Sequence, residues 1–242
     1  MSAKGMRLEC VTVDLLHCVD LGIAAHVIAN ILFILIITRS VLGGTNMEQR
    51  IAHLNAHLSV WYSKTKTKCR VQGKLTLERL RPKTQWPKLK AKGAATRYLI
   101  PYVLEMIKEH ASEVGDDQII AVVQLLQQFY IILENEGRFL SYTARRDLTK
   151  IGNDFGILYC ALARRASEAR VKLWKLSPKL HMFMHLCISL SDVAGCYINP
   201  RHFWTYADED LVGQLIEVAE SCHATTVAVS ALFKWCLLIF PE

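Results

Sequence analysis

The sequence contains few prolines and glycines, which interrupt helices and strands, and few cysteines that could form disulfide bonds. It has six prolines and twelve glycines in 242 residues, which excludes collagen-like and linker-like chains. Its eight cysteines include no pair with C-x-x-C spacing and are too sparse for a disulfide scaffold. Apolar residues make up 52% of the chain, enough for a packed core. We therefore expect an intracellular protein with reduced thiols and one globular domain, or one and a half.

The motifs of several common enzyme classes are also missing. The chain has no G-x-S-x-G, no P-loop, no G-x-G-x-x-G and no H-E-x-x-H. It shows no internal repeat and no low-complexity stretch. The sequence thus gives no support to these hydrolase, nucleotide-binding and metalloprotease classes.

Acidic residues are scarce in two segments. Residues 64–97 carry twelve basic residues and one acid, and residues 138–179 carry ten basic residues and three acids. Two basic blocks suggest a polyanion partner, although two solvated basic faces would give the same pattern. Lysines beside Trp86 suit a phosphate backbone, whose recognition is largely independent of sequence. The predicted DNA-binding residues are Lys64, Lys66, Lys68, Arg70, Lys88, Lys90, Lys92 and Arg97.

One long apolar run, Leu21–Thr38, approaches the length of a membrane span. It contains His26 and Asn30, and Asp20 stands directly before it. Polar groups are costly at the centre of a bilayer. A buried core helix explains the run equally well.

Periodicity of 3.6 residues dominates the chain after Thr96. Residues 63–95 lack such a pattern and are predicted to be mostly loop. A single strand is predicted at Leu8–Val13. We expect a mainly α protein with about seven helices, namely Val19–Ile37, Met47–Tyr62, Tyr98–Ser112, Gln118–Leu133, Ser141–Trp174, one after Pro178, and one from about Ala207–Glu209 past Val218.

Asp14 and His17 form the first candidate site. An acid that ends a strand and is followed by a helix occupies the place where α/β folds put catalytic groups. His17 lies three residues after Asp14, about one helical turn, so both could face one site. The alternative is an Asp that caps a helix and a buried His.

Two further candidates lie near the C-terminus. His181 and His185 are four residues apart and would share a helix face, a spacing that can bind zinc. A histidine face beside an acidic or phosphate site is the preferred interpretation. Asp208, Glu209 and Asp210 follow an aromatic cluster at the predicted start of a helix; they could hold a metal or interact favourably with the helix dipole.

Taken in order, these segments resemble a known family. The chain contains five segments in this order: Asp14-x-x-His17, an apolar helix, a long helical stretch, the segment PKLHMFMHL and the segment FWTYADED. This order, from about Val11 to Trp235, is similar to the C-terminal half of a cut-and-paste DDE transposase of the CACTA (En/Spm-like) type or a relative.

The resemblance implies an RNase H-like catalytic domain with a helical insertion before the last acid. It places the second catalytic Asp on Asp14, its histidine on His17 and the final acid on Glu209, ambiguous by one residue because Asp208 and Asp210 flank it. It further implies Mg²⁺ held by Asp14 and Glu209, two-metal phosphoryl transfer, and DNA as the partner.

The chain departs from the family at its start. The family's first catalytic Asp should lie well upstream of Asp14, where thirteen residues precede it and Glu9 is the one acid. We therefore expect a transposase-derived fragment, inactive alone and without a small-molecule cofactor, nuclear or otherwise intracellular, that could form a homo-oligomer. The alternatives are a non-catalytic nucleic-acid-binding or protein-interaction helical protein and, less favoured, a small membrane protein using residues 21–38.

The predicted fold class is mainly α: the helical C-terminal portion of an RNase H-like (DDE) domain with at most a small strand remnant. The predicted parts are 1–44 (a remnant of the RNase H-like core), 45–97 (a helix and basic connector), 98–177 (the helical insertion) and 178–242 (the C-terminal helical part with the last acid).

Overall fold

The computed structural model of the chain describes residues 12–191 and 197–239. Helices account for 71% of the structure and no strand occurs among the described residues, so the expectation of a mainly α protein is confirmed. Two 3₁₀ turns, Pro82–Thr84 and Pro200–Phe203, add to the helices. The helices are α1 (Leu16–Thr38), α2 (Met47–Thr65), α3 (Leu77–Leu80), α4 (Gly93–Tyr98), α5 (Ile100–Glu109), α6 (Ala111–Val114), α7 (Asp117–Asn135), α8 (Tyr142–Glu168), α9 (Pro178–Ser189), α10 (Tyr206–Glu220) and α11 (Val227–Ile239).

The chain divides into two compact units, Met1–Phe203 and Trp204–Glu242. The boundaries predicted at 44, 97 and 177 lie inside the first unit. Helices α1 to α9 belong to this first unit, whereas α10 and α11 form the second.

Helix α1 is the central helix of the first unit. It is apolar on every side, as expected for a helix that is buried all round, and it packs against α2, α4, α5, α6 and α9. Its middle, Ala25–Leu32, is α-helical, while its two ends are π-helical. It is long and apolar enough to cross a membrane, but 78% of its most apolar window is buried inside the protein. Such burial is typical of a core helix.

The polar residues of α1 are satisfied by the protein itself. The Asn30 amide donates to the His26 carbonyl at 2.7 Å and accepts from the Trp174 backbone N–H at 2.9 Å. The buried carboxylate of Asp20 accepts from the Tyr130 hydroxyl. Buried polar groups need such partners, so these residues fit a core helix surrounded by protein.

Helices α7, α8 and α9 form a packed layer beside α1. Gly152 and Gly156 of α8 face α9, and a Cβ atom at Gly152 would lie 2.2 Å from the Cβ of Cys187. The two helices approach closely because these positions carry no side chain. Phe183 of α9 is fully buried and makes edge-to-face contacts with aromatic rings of α7 and α8 at centroid distances of 5.1 and 5.3 Å.

Three predictions about the helices need correction, and a fourth prediction, of a strand, falls mostly outside the described residues. The helix predicted to reach Trp174 ends at Glu168, because Arg170 and Trp174 take positive φ values of 55° and 56° that no α-helix accommodates. Tyr98–Ser112 is divided among three helices, and the described residues contain more helices than the seven expected. Most of the strand predicted at Leu8–Val13 lies outside the described residues, and its last two residues are not in a strand.

The second unit is a pair of helices with an apolar surface. Helices α10 and α11 pack against each other. This contact leaves many large apolar side chains of the unit exposed, namely Leu211, Val212, Ile216, Val229, Leu232, Phe233 and Leu237.

Candidate nucleic-acid interface

Asp14 caps the first turn of the central helix. Its carboxylate accepts from the backbone N–H groups of Leu16 and His17 at 3.0 and 3.1 Å and also contacts the His17 ring at Nδ1. The side chains of Asp14 and His17 keep 24% and 47% of their full exposure. Helix capping, the alternative raised for Asp14, is therefore observed, whereas His17 is exposed and not buried as that alternative expected. A catalytic role is neither required nor contradicted by these contacts.

The last predicted acid belongs to the other unit. Helix α10 begins at Tyr206, which places Asp208, Glu209 and Asp210 at its third to fifth positions. Trp204 and Tyr206 pack edge to face at 5.5 Å just before these acids. Acids near a helix start interact favourably with its dipole. Because Asp14 lies in the first unit and the Glu209 side chain is outside the description, their approach to one another stays a prediction.

The described residues contain no group of three His, Cys, Asp or Glu side chains that could hold a metal ion. His181 and His185 do meet on α9, where their Nε2 atoms lie 3.0 Å apart on an exposed face. The i, i+4 spacing produces this contact as expected. Two imidazoles are fewer ligands than a structural zinc site uses, and Mg²⁺ prefers oxygen ligands.

The basic connector, residues 63–95, is held in a defined conformation although it is mostly loop. Its backbone N–H groups at Lys88 and Lys90 donate to the carbonyls of Leu80 and Arg79 at 2.9 and 2.8 Å. The intervening Leu89 donates to the Ala25 carbonyl of α1 at 2.9 Å. These three bonds fix the connector along the central helix, so its lysines project from a fixed scaffold.

The predicted DNA-binding residues differ in their surroundings. Lys66, Lys68, Arg70 and Lys92 are exposed, and Lys88 is half-buried. Exposed ion pairs partly neutralise two more: Lys64 lies 3.3 Å from Glu105, and Lys90 lies 3.1 Å from Glu78. Such pairs contribute little stability.

Arg97 has a different environment from the other predicted residues. Its Nε and Nη1 atoms are buried, and its guanidinium lies over the rings of Tyr98 and Tyr130 at 5.3 and 6.0 Å. The Tyr130 hydroxyl in turn bonds to Asp20. Arg97 thus contributes to the interior of the first unit, and we leave it out of the candidate interface.

The two basic blocks meet at one groove. Four lysines line it: Lys83 and Lys88 come from the connector, and Lys175 and Lys179 come from the end of the second block. The groove has a volume of about 670 Å³, and Trp86 also lines it. None of the described residues that line it is acidic. We call this feature the lysine groove and define it by these four lysines and Trp86.

Helix α1 positions one wall of the lysine groove. The aliphatic stem of Lys179 lies over Gly22, where an added Cβ would be only 2.7 Å from the lysine Cδ. Cys18, one turn earlier, donates its thiol to the Lys179 carbonyl at 3.4 Å. Burial raises the pKa of the Cys18 thiol to about 12, so this cysteine stays protonated and serves as an anchor.

The electrostatic environment of the lysine groove is strongly positive. Burial, together with Lys179 and Lys175, lowers the pKa of Lys88. Burial also lowers the pKa of His26, to about 4, and the same three lysines act in that direction. His26 is therefore neutral near pH 7, and its Nδ1 donates to the Pro87 carbonyl at 2.8 Å, since a carbonyl can only accept.

A larger cavity of about 1020 Å³ lies between α2 and residues 70–77. Its lining is mainly apolar, and its charged residues are of both signs: Glu48, Arg70 and Lys74. Volume alone does not identify a site. The lysine groove is smaller, but it combines charge of one sign with an aromatic side chain, which is the chemistry that phosphate-bearing ligands need.

Comparison with known proteins adds no relative. No family model, no curated protein and no solved structure matches the chain. The structure describes a mainly helical protein with a positively charged groove.

Proposed function

We propose that this protein is a transposase-derived helical protein that binds DNA through the lysine groove and the exposed lysines of its connector, and that it is inactive in strand cleavage on its own. The observation that carries the DNA-binding part is the convergence of the two basic blocks at one groove. Lys88 and Lys175 are 87 positions apart in the sequence. A merely solvated basic segment would not require such convergence.

Phosphate binding follows from the charges. Like charges in a partly buried groove repel one another, and a bound polyanion relieves that repulsion. Contacts between lysines and phosphates release counterions, which makes the affinity depend on salt and little on sequence. The connector's bonds to α1 help because pre-ordered groups lose less entropy on binding.

The transposase ancestry rests on the order of the short motifs. In this proposal Asp14 and Glu209 are the second and last acids of the ancestral site, they would have held Mg²⁺, and His17 would have stood near the scissile phosphate. The hard oxygen ligands of two carboxylates suit Mg²⁺. Two-metal chemistry requires a cooperating set of ligands, so this pair alone would not sustain cleavage.

Fluorescence anisotropy with a labelled DNA duplex, between 50 and 300 mM salt, tests the binding. If about six phosphates are contacted, the plot of log affinity against log salt should have a slope near −5. Replacing Lys88, Lys175 and Lys179 by Ala should make this slope shallower by about 3 and weaken binding.

The matched control removes the same number of charges elsewhere. Lys108, Lys150 and Lys234 are not among the residues that line the groove, and their replacement by Ala should leave the slope nearly unchanged. Affinity that does not respond to salt, or two triple variants that lose affinity equally, would refute the proposed interface.

A specific observation favours a second candidate function, protein interaction. The second unit exposes seven large apolar side chains on two short helices, more than isolated surface residues require. A second copy of the chain could cover this surface, consistent with the expected homo-oligomer. Light scattering would test it: Phe233→Glu should convert an oligomer to a monomer, and a chain that is monomeric before the change would contradict this function.

A further inference from the structure

We infer that the lysine groove holds one nucleotide of a single-stranded nucleic acid, with its phosphate on the lysines and its base against Trp86. This inference rests on the proposed DNA binding and specifies the ligand further. We expect single strands to bind more tightly than duplexes, because the Trp86 ring stacks on a base, a contact that the charge of the lysines does not provide.

The groove has the size of a ligand pocket. Its volume of about 670 Å³ falls inside the range of clefts that bind small ligands, roughly 300–1,000 Å³. A lysine ammonium suits a phosphate as a point charge with three donors. The lysines come from both sides of the groove, because Lys83 and Lys88 lie on the connector while Lys175 and Lys179 flank the start of α9. A phosphate between them would be contacted from two directions.

Trp86 is the reason why we expect a ligand that carries a base as well as a phosphate. Trp86 is half-buried and lines the same groove, two positions before Lys88. Stacking of a base on an aromatic side chain strengthens binding by about fivefold or more and depends little on which base is stacked. The backbone next to Trp86 is held close to α1, since the carbonyl of Pro87 accepts a hydrogen bond from His26.

A duplex cannot use this site in the same way. Its bases are stacked on one another and paired, so a base reaches a protein ring only after it has been unstacked and unpaired, which costs free energy. In a single strand the bases are already available. We therefore expect the phosphates of a duplex to contact the groove lysines and the exposed lysines of the connector, and a single strand to contact these lysines and Trp86 as well.

The test compares four probes by anisotropy and competition: a 12-nucleotide thymidylate strand, a 12-base-pair duplex, inorganic polyphosphate, and thymidine monophosphate. The single strand should bind more tightly than the duplex and than polyphosphate, which has the charge but no bases. Trp86→Leu should weaken binding of the single strand at least about fivefold and change duplex affinity less than twofold. Trp86→Phe, which retains a stacking ring, should restore most of the affinity.

The outcomes separate the two proposals. If neither nucleic acid binds with a salt-dependent affinity, the proposed function fails. If the single strand and the duplex bind with equal affinity, and Trp86→Leu binds the single strand as tightly as the parent protein does, DNA binding stands and the nucleotide pocket is overturned. Thymidine monophosphate competing as well as the strand would assign the groove to a free nucleotide and overturn recognition of a strand. Because Trp86→Leu could disturb the fold, thermal unfolding of each variant is compared. If the Leu variant is not folded, the comparison of the single strand with polyphosphate decides, since equal affinity for the two would overturn a contact between the groove and a base.

Discussion

The effect of replacing Asn30 by Leu distinguishes two interpretations of α1, a core helix and a membrane-spanning helix. In the structure the Asn30 amide is fully buried and accepts the backbone N–H of Trp174 at 2.9 Å. Leucine cannot accept that bond, and the N–H of a residue only 3% exposed would lose its partner. An unsatisfied buried donor costs about 1–3 kcal/mol. We therefore expect the free energy of unfolding to fall by about that amount.

The position of Trp174 makes the loss specific. Its φ of 56° is unfavourable for a residue with a side chain, so the surrounding contacts must hold it. Its ring packs edge-on against Tyr159 at 5.6 Å, and the Asn30 amide fixes its backbone. The segment between α8 and α9 should consequently exchange its amide hydrogens faster in the Asn30→Leu variant.

Urea unfolding followed by circular dichroism measures the first effect, and hydrogen exchange with mass spectrometry measures the second. Asn153 provides the control: it is exposed on α8, and Leu there should change the unfolding free energy by less than about 0.5 kcal/mol. A membrane span predicts the reverse for Asn30, because Leu makes the segment more apolar and favours insertion. Unchanged or increased stability of Asn30→Leu, with stronger partitioning into vesicles, would refute the core-helix account.

Three further predictions concern protonation, packing and activity. Burial lowers the pKa of His26 in the folded protein to about 4, below its unfolded value of about 6.5. Between pH 4 and 6.5 the unfolded chain therefore binds more protons than the folded protein. The contribution of neutral His26 to the free energy of unfolding is complete above pH 6.5 and is lost as the pH falls towards 4. Urea titrations should show that the parent loses about 3 kcal/mol more than His26→Gln across that window; parallel pH profiles would contradict it. Gly152→Ala should destabilise the protein by about 1–3 kcal/mol in thermal or urea unfolding, because the new methyl would overlap Cys187; Gly213→Ala has nothing within 4 Å and should be neutral or stabilising. The chain should not nick supercoiled plasmid in Mg²⁺ or Mn²⁺; cleavage that Asp14→Ala abolishes would show a complete nuclease.

The sequence predicts most of the helices because their signals are local. Asp116 caps α7, accepting the Gln118 N–H at 3.1 Å, and Pro178 occupies the first turn of α9. Both features follow from residue type. The helix predicted to reach Trp174 is too long because the reversal after Glu168 depends on tertiary contacts, among them the bond to Asn30. No local pattern contains that information.

The candidate site was only partly predictable for a similar reason. The sequence indicated that Lys88 belongs to a basic segment and that Trp86 stands beside it. It did not indicate that Lys175 and Lys179 lie at the same groove, because their meeting depends on how α9 packs on α1. Arg97 differs from the other predicted residues, since this basic residue at the end of a basic block has its guanidinium partly buried.

Lysine footprinting tests the central claim, that the lysine groove is the nucleic-acid interface, most directly. Mild acetylation of the protein, with and without a saturating single strand, is quantified residue by residue by mass spectrometry. If the lysine groove binds the strand, we expect strong protection of its four lysines, Lys83, Lys88, Lys175 and Lys179. We expect no protection of three surface lysines that are remote from the groove in sequence, Lys108, Lys150 and Lys234. Uniform protection of all these lysines, or protection that spares Lys175 and Lys179, would contradict it.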